Sequence, residues 1–424
     1  MTGEGSIDKL IEAFHLFDGD ERPPMVLMVP LPCEEPPAAN GIFQSLESQF
    51  EEDLQGFELI EAKVPSAHWE IEIRLDSGEV YILWLAPWDE SFIDDLKLRA
   101  MSSGERKGLK RANYLLGLAR ILSGPPLAEL RFCYRILSVA APKGLGFLDL
   151  ASKTCRGPRW VRDMAFSSAL PSFRLLCDIN AVGYHDRRSY WLHTVGLRRA
   201  GLPELEIFDV QEASLGRCKE LIERAGMRFL HLGLPSEEEE FSLGGGLKLA
   251  WLWRRSLSED PAAGFRDPCQ RVPSAVLFSP VGGAFWNRLE NPSLSGVFLG
   301  FEPFVDKEGI KNKKLLAGER FNRFKTLFRT YKGQEGWVFY VMLALVDQGA
   351  VEESRDIRWL RLDDMTSRGF IGRESCDEES RHYCFHFMID WMLRSPRGDY
   401  FADDVALIEG ELEESSPGRK KGGE

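Results

Sequence analysis

The sequence predicts an α+β protein, with mixed and antiparallel sheets, flanking helices and a β-rich C-terminal part. Three observations carry that prediction. Apolar and polar residues alternate at period two in stretches such as Trp69–Leu75. They recur at helical spacing in others, such as Leu215, Cys218, Leu221, Ile222 and Ala225. Both kinds of stretch are interleaved along the chain without a Gly-rich phosphate loop.

Taken in order, Ile7, Leu10, Ile11, Phe14 and Phe17 mark an amphipathic helix with Ser6 as its N-cap, stopped by Pro23 and Pro24. Met25 to Val29 is a compact apolar strand. Phe43, Leu46, Phe50 and Leu54 mark a second helix. Trp69–Leu75 and Val80–Leu85 form a hairpin about Asp76-Ser77-Gly78. The residues from Glu105 to Leu122 read as a long helix ended by Ser123-Gly124-Pro125-Pro126. Tyr190–Leu197 and Glu204–Val210 are strands, with Gly201-Leu202-Pro203 in their connection. The next helix has Ser214 as its cap and Gly226 at its end. Ser236–Glu240 is a solvated acidic loop, and Leu247–Trp253 is a strand with a heavy apolar face. Pro261–Pro273 reads as a linker. Gly336–Val346, Ile357–Leu362 and Tyr383–Trp391 are strands, and the residues from Glu411 are expected to be disordered. These signals divide the chain into an N-terminal domain (1–165), a middle domain (166–275), a C-terminal β-rich domain (276–410) and a tail (411–424).

Composition excludes several classes. The 424 residues include 66 Asp and Glu against 53 Lys and Arg, a net charge of −13. A surface of that sign repels phosphate backbones, so nucleic acid is not an expected partner. The longest apolar run, Trp337–Val346, falls far short of the ~20 residues a spanning helix needs. No basic segment precedes an apolar one near the start, so no secretory signal is expected. The eight cysteines show no CxxC spacing and suit a reducing, cytoplasmic setting as buried thiols.

The most distinctive stretch reads His193-Thr194-Val195-Gly196-Leu197, then Gly201-Leu202-Pro203-Glu204-Leu205-Glu206. It resembles a family of bacterial proteins known as a domain of unknown function, whose motif runs His-Thr-His-Gly-Leu and then Gly-x-Pro-Glu-Leu-Glu. Val195 stands where that family has its second His. Near the C-terminus, Ile389-Asp390-Trp391, with Trp337 and Trp359, resembles a second small bacterial domain ending in such a strand. Neither resemblance supplies an activity.

On a strand, His193 shares a face with Trp191 and Val195, and Glu204 and Glu206 share a face of the next strand. Pairing would bring His193 near a carboxylate, the minimum for general base work and equally a common structural hydrogen bond. Thr194 and Arg198 are candidate binding residues, although Arg198 and Arg199 also fit a solvated turn. His382, Cys384 and His386 project to one strand face with ligand types suited to zinc or copper. Alternate residues on a strand stand ~7 Å apart, too far for three to close on one ion, which favours a plain strand surface. Walker, nucleophile-elbow and His-Glu-x-x-His motifs are absent from the sequence. The favoured reading is a bacterial cytoplasmic protein without a cofactor that binds another protein, as a regulatory or immunity-like factor does. The alternative is a hydrolase using His193 with Glu204 or Glu206.

Overall fold

The computed structural model describes residues 23–50, 54–62, 64, 66–94, 96–169, 171–183, 189–244, 247–257, 273–280, 307–346, 355–374, 379–396 and 398–415. The helix expected over 7–17 and most of the expected linker at 261–273 lie outside these residues. The chain divides into two compact units, one of residues 1–165 and 171–299, the other of 166–170 and 300–424. The fold is α+β, with three sheets among the described residues that are mostly antiparallel or mixed.

The first unit opens with a sheet of β1 (Met25–Leu31), β2 (Leu54–Ile60), β3 (Trp69–Leu75), β4 (Val80–Pro87), β5 (Lys97–Arg99), β6 (Tyr114–Arg120), β7 (Phe147–Asp149) and β8 (Thr154–Arg156). Their spatial order is β2-β3-β4-β6-β1-β7-β8-β5. Helices α1 (Ala39–Phe50), α2 (Ser103–Gly108), α3 (Pro126–Ala140) and α4 (Pro158–Ala165) accompany it. Strand β1 is buried along its whole length because it lies between β6 and β7. An apolar run without alternation is what such a two-sided position demands.

The helix expected from Glu105 to Leu122 does not form. A capping box of Ser102 and Glu105 starts α2, which stops at Gly108, and Tyr114–Arg120 is strand β6 between β1 and β4. Tertiary pairing overrides local pattern here: the Trp84 ring on β4 lies against Gly117, where a Cβ would come within 2.0 Å of it. Pro126 begins a helix rather than ending one, because proline at the first helical position forfeits no hydrogen bond.

The second sheet comprises β9 (Asp178–Gly183), β10 (Ser189–Val195), β11 (Glu204–Gln211), β12 (Phe241–Gly244), β13 (Leu247–Trp253) and β14 (Ser274–Phe278), in the order β12-β13-β14-β11-β10-β9. It is antiparallel except where β14 runs parallel to β11. Helices α5 (Phe173–Leu176) and α6 (Leu215–Leu232) belong to this part. Gly226 does not end α6. It sits inside the helix where the Phe173 ring leaves no room for a Cβ, and Gly233, with φ +79°, terminates the helix instead.

The second unit holds α7 (Lys307–Glu319) and α8 (Phe321–Tyr331), then a sheet of β15 (Val338–Val346), β16 (Arg355–Met365), β17 (Gly369–Glu374), β18 (Arg381–Cys384), β19 (Met388–Ser395) and β20 (Gly398–Phe401), then α9 (Val405–Ser415). The order is β18-β17-β16-β15-β19-β20. Trp391 is fully buried, stacks on Phe324 at 4.5 Å and donates its indole N–H to the Ala317 carbonyl. The strand expected over Tyr383–Trp391 is broken by a 3-10 turn at Phe385–Phe387. Helix α9 runs into the stretch expected to be disordered, and residues 416–424 lie outside the described ones.

Candidate functional site

Strands β10 and β11 pair antiparallel, with His193 directly opposite Glu206 and a bulge between Tyr190 and Leu192. Their connection is a 3-10 turn, Leu197–Ala200, bounded by Gly196 at φ +117° and Gly201 at φ +76°. Both glycines occupy the left-handed region that side chains avoid. A Cβ on Gly196 would also meet the Leu176 carbonyl at 3.0 Å and Ser152 at 3.2 Å.

Glu204 holds this connection together. One carboxylate oxygen accepts from the Gly196 N–H at 2.9 Å. The other accepts from the Thr194 hydroxyl at 2.7 Å and the Leu197 N–H at 3.3 Å. The Thr194 oxygen accepts in turn from the Leu205 N–H at 2.7 Å. Thr194 and Glu204 are buried, and these bonds employ their polar atoms inside the fold. Arg198 is half-buried on the same turn.

The middle of the strand pair is different. His193 is 0% exposed, and its ring stacks on Trp191 at 4.3 Å, with Nδ1 3.3 Å from the Thr194 carbonyl oxygen. Glu206 is 1% exposed and pairs with the buried Arg254 at 3.1 Å, whose guanidinium lies 5.6 Å from the Trp191 ring centre. Burial raises the Glu206 carboxyl above its ordinary value, and Arg254, Ser274 and His193 offset that rise only in part. An imidazole opposite a carboxylate of raised proton affinity has the parts of an acid–base pair. Its exposure of zero denies it a substrate in this conformation.

Sequence reasoning passed over the strongest charge cluster in this region. Arg199 is 0% exposed rather than solvated: it grips Asp149 through two bonds of 2.8 and 2.9 Å and also donates to the Leu176 carbonyl. Arg156 adds a third contact to Asp149 at 3.1 Å and reaches the Ser152 and Tyr134 hydroxyls. Burial pushes the Asp149 carboxyl up, but Arg199 and Arg156 together bring it below the usual carboxylate value. The signal was an acid isolated in an apolar strand, Phe147-Leu148-Asp149-Leu150, which needs a buried partner.

The acidic loop is exposed and held in place. Glu237 accepts from the Trp253 N–H at 2.8 Å and the Ser256 hydroxyl at 3.2 Å. Glu239 accepts from the Ser236 N–H at 3.1 Å, and the Glu238 N–H donates to the Trp251 carbonyl at 2.8 Å. Glu237 to Glu240 all remain exposed.

His382 and Cys384 are exposed at the edge of the third sheet, and His382 Nε2 lies 3.3 Å from the Thr366 hydroxyl. His386 falls in the 3-10 turn after β18 rather than on the strand, and its side chain lies outside the described residues. The one-face alignment expected of the three residues therefore ends at Cys384. Among the described residues no group of three His, Cys, Asp or Glu side chains is arranged to hold a metal ion.

Residues 179–278 match the model of a family described as protein of unknown function (DUF4026) C-terminal. The matched segment runs from the second residue of β9 to the last of β14, so it coincides with the second sheet. His193, Glu204, Glu206, Arg254 and the acidic loop all lie within it. No curated protein and no solved structure matches the chain. No helix among the described residues is long and apolar enough to cross a membrane.

Proposed function

We propose that the protein works by binding another protein, as a regulatory or immunity-like factor, with the acidic loop Glu237–Glu240 as a docking element for a basic surface. The observation that carries this reading is that the loop is both exposed and pre-ordered. Bonds from Glu237, Glu238 and Glu239 to the β13 edge and to Ser236 fix the backbone, so little conformational entropy is lost on docking. The net charge of −13 adds a long-range field of the same sign. The resemblance to bacterial proteins and the dispersed cysteines support a bacterial cytoplasmic setting, and the same negative field argues against nucleic acid as the partner.

The hydrolase reading keeps one observation in its favour, the opposition of His193 and Glu206. It requires the Trp191 stack to open. The binding reading is tested by affinity capture from the source cells with mass-spectrometric identification, followed by association kinetics with the captured partner. Association is expected to slow at least ~10-fold between low and high salt, as the Debye length falls from ~10 Å at 0.1 M to ~3 Å at 1 M. Neutralising Glu237–Glu240 should slow association while leaving dissociation nearly unchanged. A salt-independent rate that ignores this loop would overturn the docking role.

A further inference from the structure

Natural sheets protect their edges with short strands, bulges, Pro or inward charges, because an open edge pairs with any extended chain. Four of the six edge strands described here obey that rule by length. β5 has 3 residues and β12, β18 and β20 have 4 each, while β9 has 6. The sixth, β2, has 7 residues, no Pro and no Lys, and its one register shift lies at its beginning, between Leu54 and Gly56. It is the terminal strand of the eight-stranded sheet, and among the described residues no backbone hydrogen bond reaches its outer side.

The two faces of β2 differ in chemistry. On one face Phe57 stands opposite Ile73 and Leu59 opposite Ile71, continuing an apolar surface whose inner members are fully buried. Phe57 also stacks on Phe43 of α1 at 3.6 Å. Yet Phe57 is 36% exposed and Leu59 63%, so the apolar layer stops one strand short of cover. On the other face Glu58 is exposed and stands directly opposite Glu72, whose charge is met by Arg74 on the same strand, so Glu58 is the rim carboxylate with no opposite charge across from it. The exposed Glu61 follows the strand.

We infer that β2 accepts an added strand from a partner protein: an extended segment alternating apolar residues, set beside Phe57 and Leu59, with Lys or Arg, set beside Glu58. Charge complementarity selects this occupant. A second copy paired antiparallel about Glu58 would set that carboxylate against its twin, which costs rather than stabilises. Main-chain hydrogen bonds supply affinity in such additions, and the alternating side chains supply specificity. The inference rests on the protein-binding reading and adds to the acidic loop a second contact, with the sequence pattern of the partner segment that fits it.

The probe is a fluorescent ten-residue peptide of alternating Lys and Val, titrated into the full chain and followed by anisotropy. It is expected to bind at least ~10-fold more tightly than a shuffled peptide of equal composition or one in which Glu replaces Lys. Methylating the backbone nitrogens along both edges should abolish binding. Leu59→Lys and Glu58→Lys should each weaken binding ~10-fold, with circular dichroism reporting that both variants stay folded. Equal affinity for the shuffled or methylated peptides, or full binding by both variants, would overturn strand addition and leave only charge adsorption. Affinity capture with wild type and Leu59→Lys separates the two readings. A partner retained equally by both removes β2 as the site while the binding role stands, and the absence of any captured partner removes both.

Discussion

Glu204 and Glu206 stand two residues apart on β11 and are both buried, yet their surroundings treat a carboxylate in opposite ways. At the connection end, Glu204 receives two backbone N–H groups and a hydroxyl, and nearby Asp149 receives two guanidinium groups. At the strand middle, Glu206 has Arg254 against the cost of near-complete burial, and its affinity for a proton stays raised. The first region welcomes negative charge and is built by it; the second tolerates the charge. Donor supply, rather than burial, separates the two.

The sharpest way to break this comparison is Asp149→Asn. It leaves Arg156 and Arg199 buried without their counter-charge and should cost ~3–5 kcal/mol in urea unfolding. Because the folded carboxyl titrates below its ordinary 3.8, its contribution is complete above pH 3.8 and is lost as pH falls through the lower, folded value. The deficit of the variant should therefore shrink in strong acid. Next in size, Glu204→Gln should cost ~1–3 kcal/mol, since one amide cannot accept from all three donors.

Glu206→Gln should cost less than either, within ~1 kcal/mol near neutral pH, because the charge it removes is one the site disfavours. The sign with pH is opposite. A raised folded value means that wild type loses stability as pH climbs from 4.5 through that value, so the variant should improve relative to wild type over the same range. A cost equal to that of Asp149→Asn, or a pH trend of the same direction, would erase the distinction. The smallest effect is expected outside both regions: His382→Ala, at an exposed sheet edge, should change stability by no more than ~0.5 kcal/mol. Stoichiometric zinc in the wild type that is lost in this variant would instead make the edge a metal site.

The same contrast explains which features could be read from residues. Strand β3 follows from alternation and β4 from the turn signal that precedes it, β10, β11 and β13 follow from their apolar runs, and the β10–β11 pairing follows from the Gly- and Pro-containing connection between them. Strand β6 does not, because Tyr114–Arg120 takes its conformation from β1 and β4 on either side and from the Trp84 ring over Gly117. Strand pairing sets His193 opposite Glu206, but residue spacing cannot tell a sealed face from an open one. The burial of Arg199 is hidden for the same reason: its partner Asp149 lies 50 residues away, and a turn rich in Arg looks solvated until that partner is found. The acidic loop was readable as exposed. Its anchoring to β13 was not, since backbone donors leave no mark in a sequence.

The position of β14 bears on how the nascent chain matures. This strand lies between β11 and β13, yet Ser274 emerges 63 residues after Gln211. At ~5–20 residues per second of translation, β11 waits roughly 3–13 s for its neighbour. Hairpin β12–β13 is made in the interval but has no direct place beside β11 until β14 arrives. A messenger truncated before codon 274 would thus release a polypeptide with two open strand edges and an unfilled slot between them. Such a product is suited to mispairing with other unfinished chains, and the last few residues of the segment decide whether synthesis ends in one sheet or in two fragments of one.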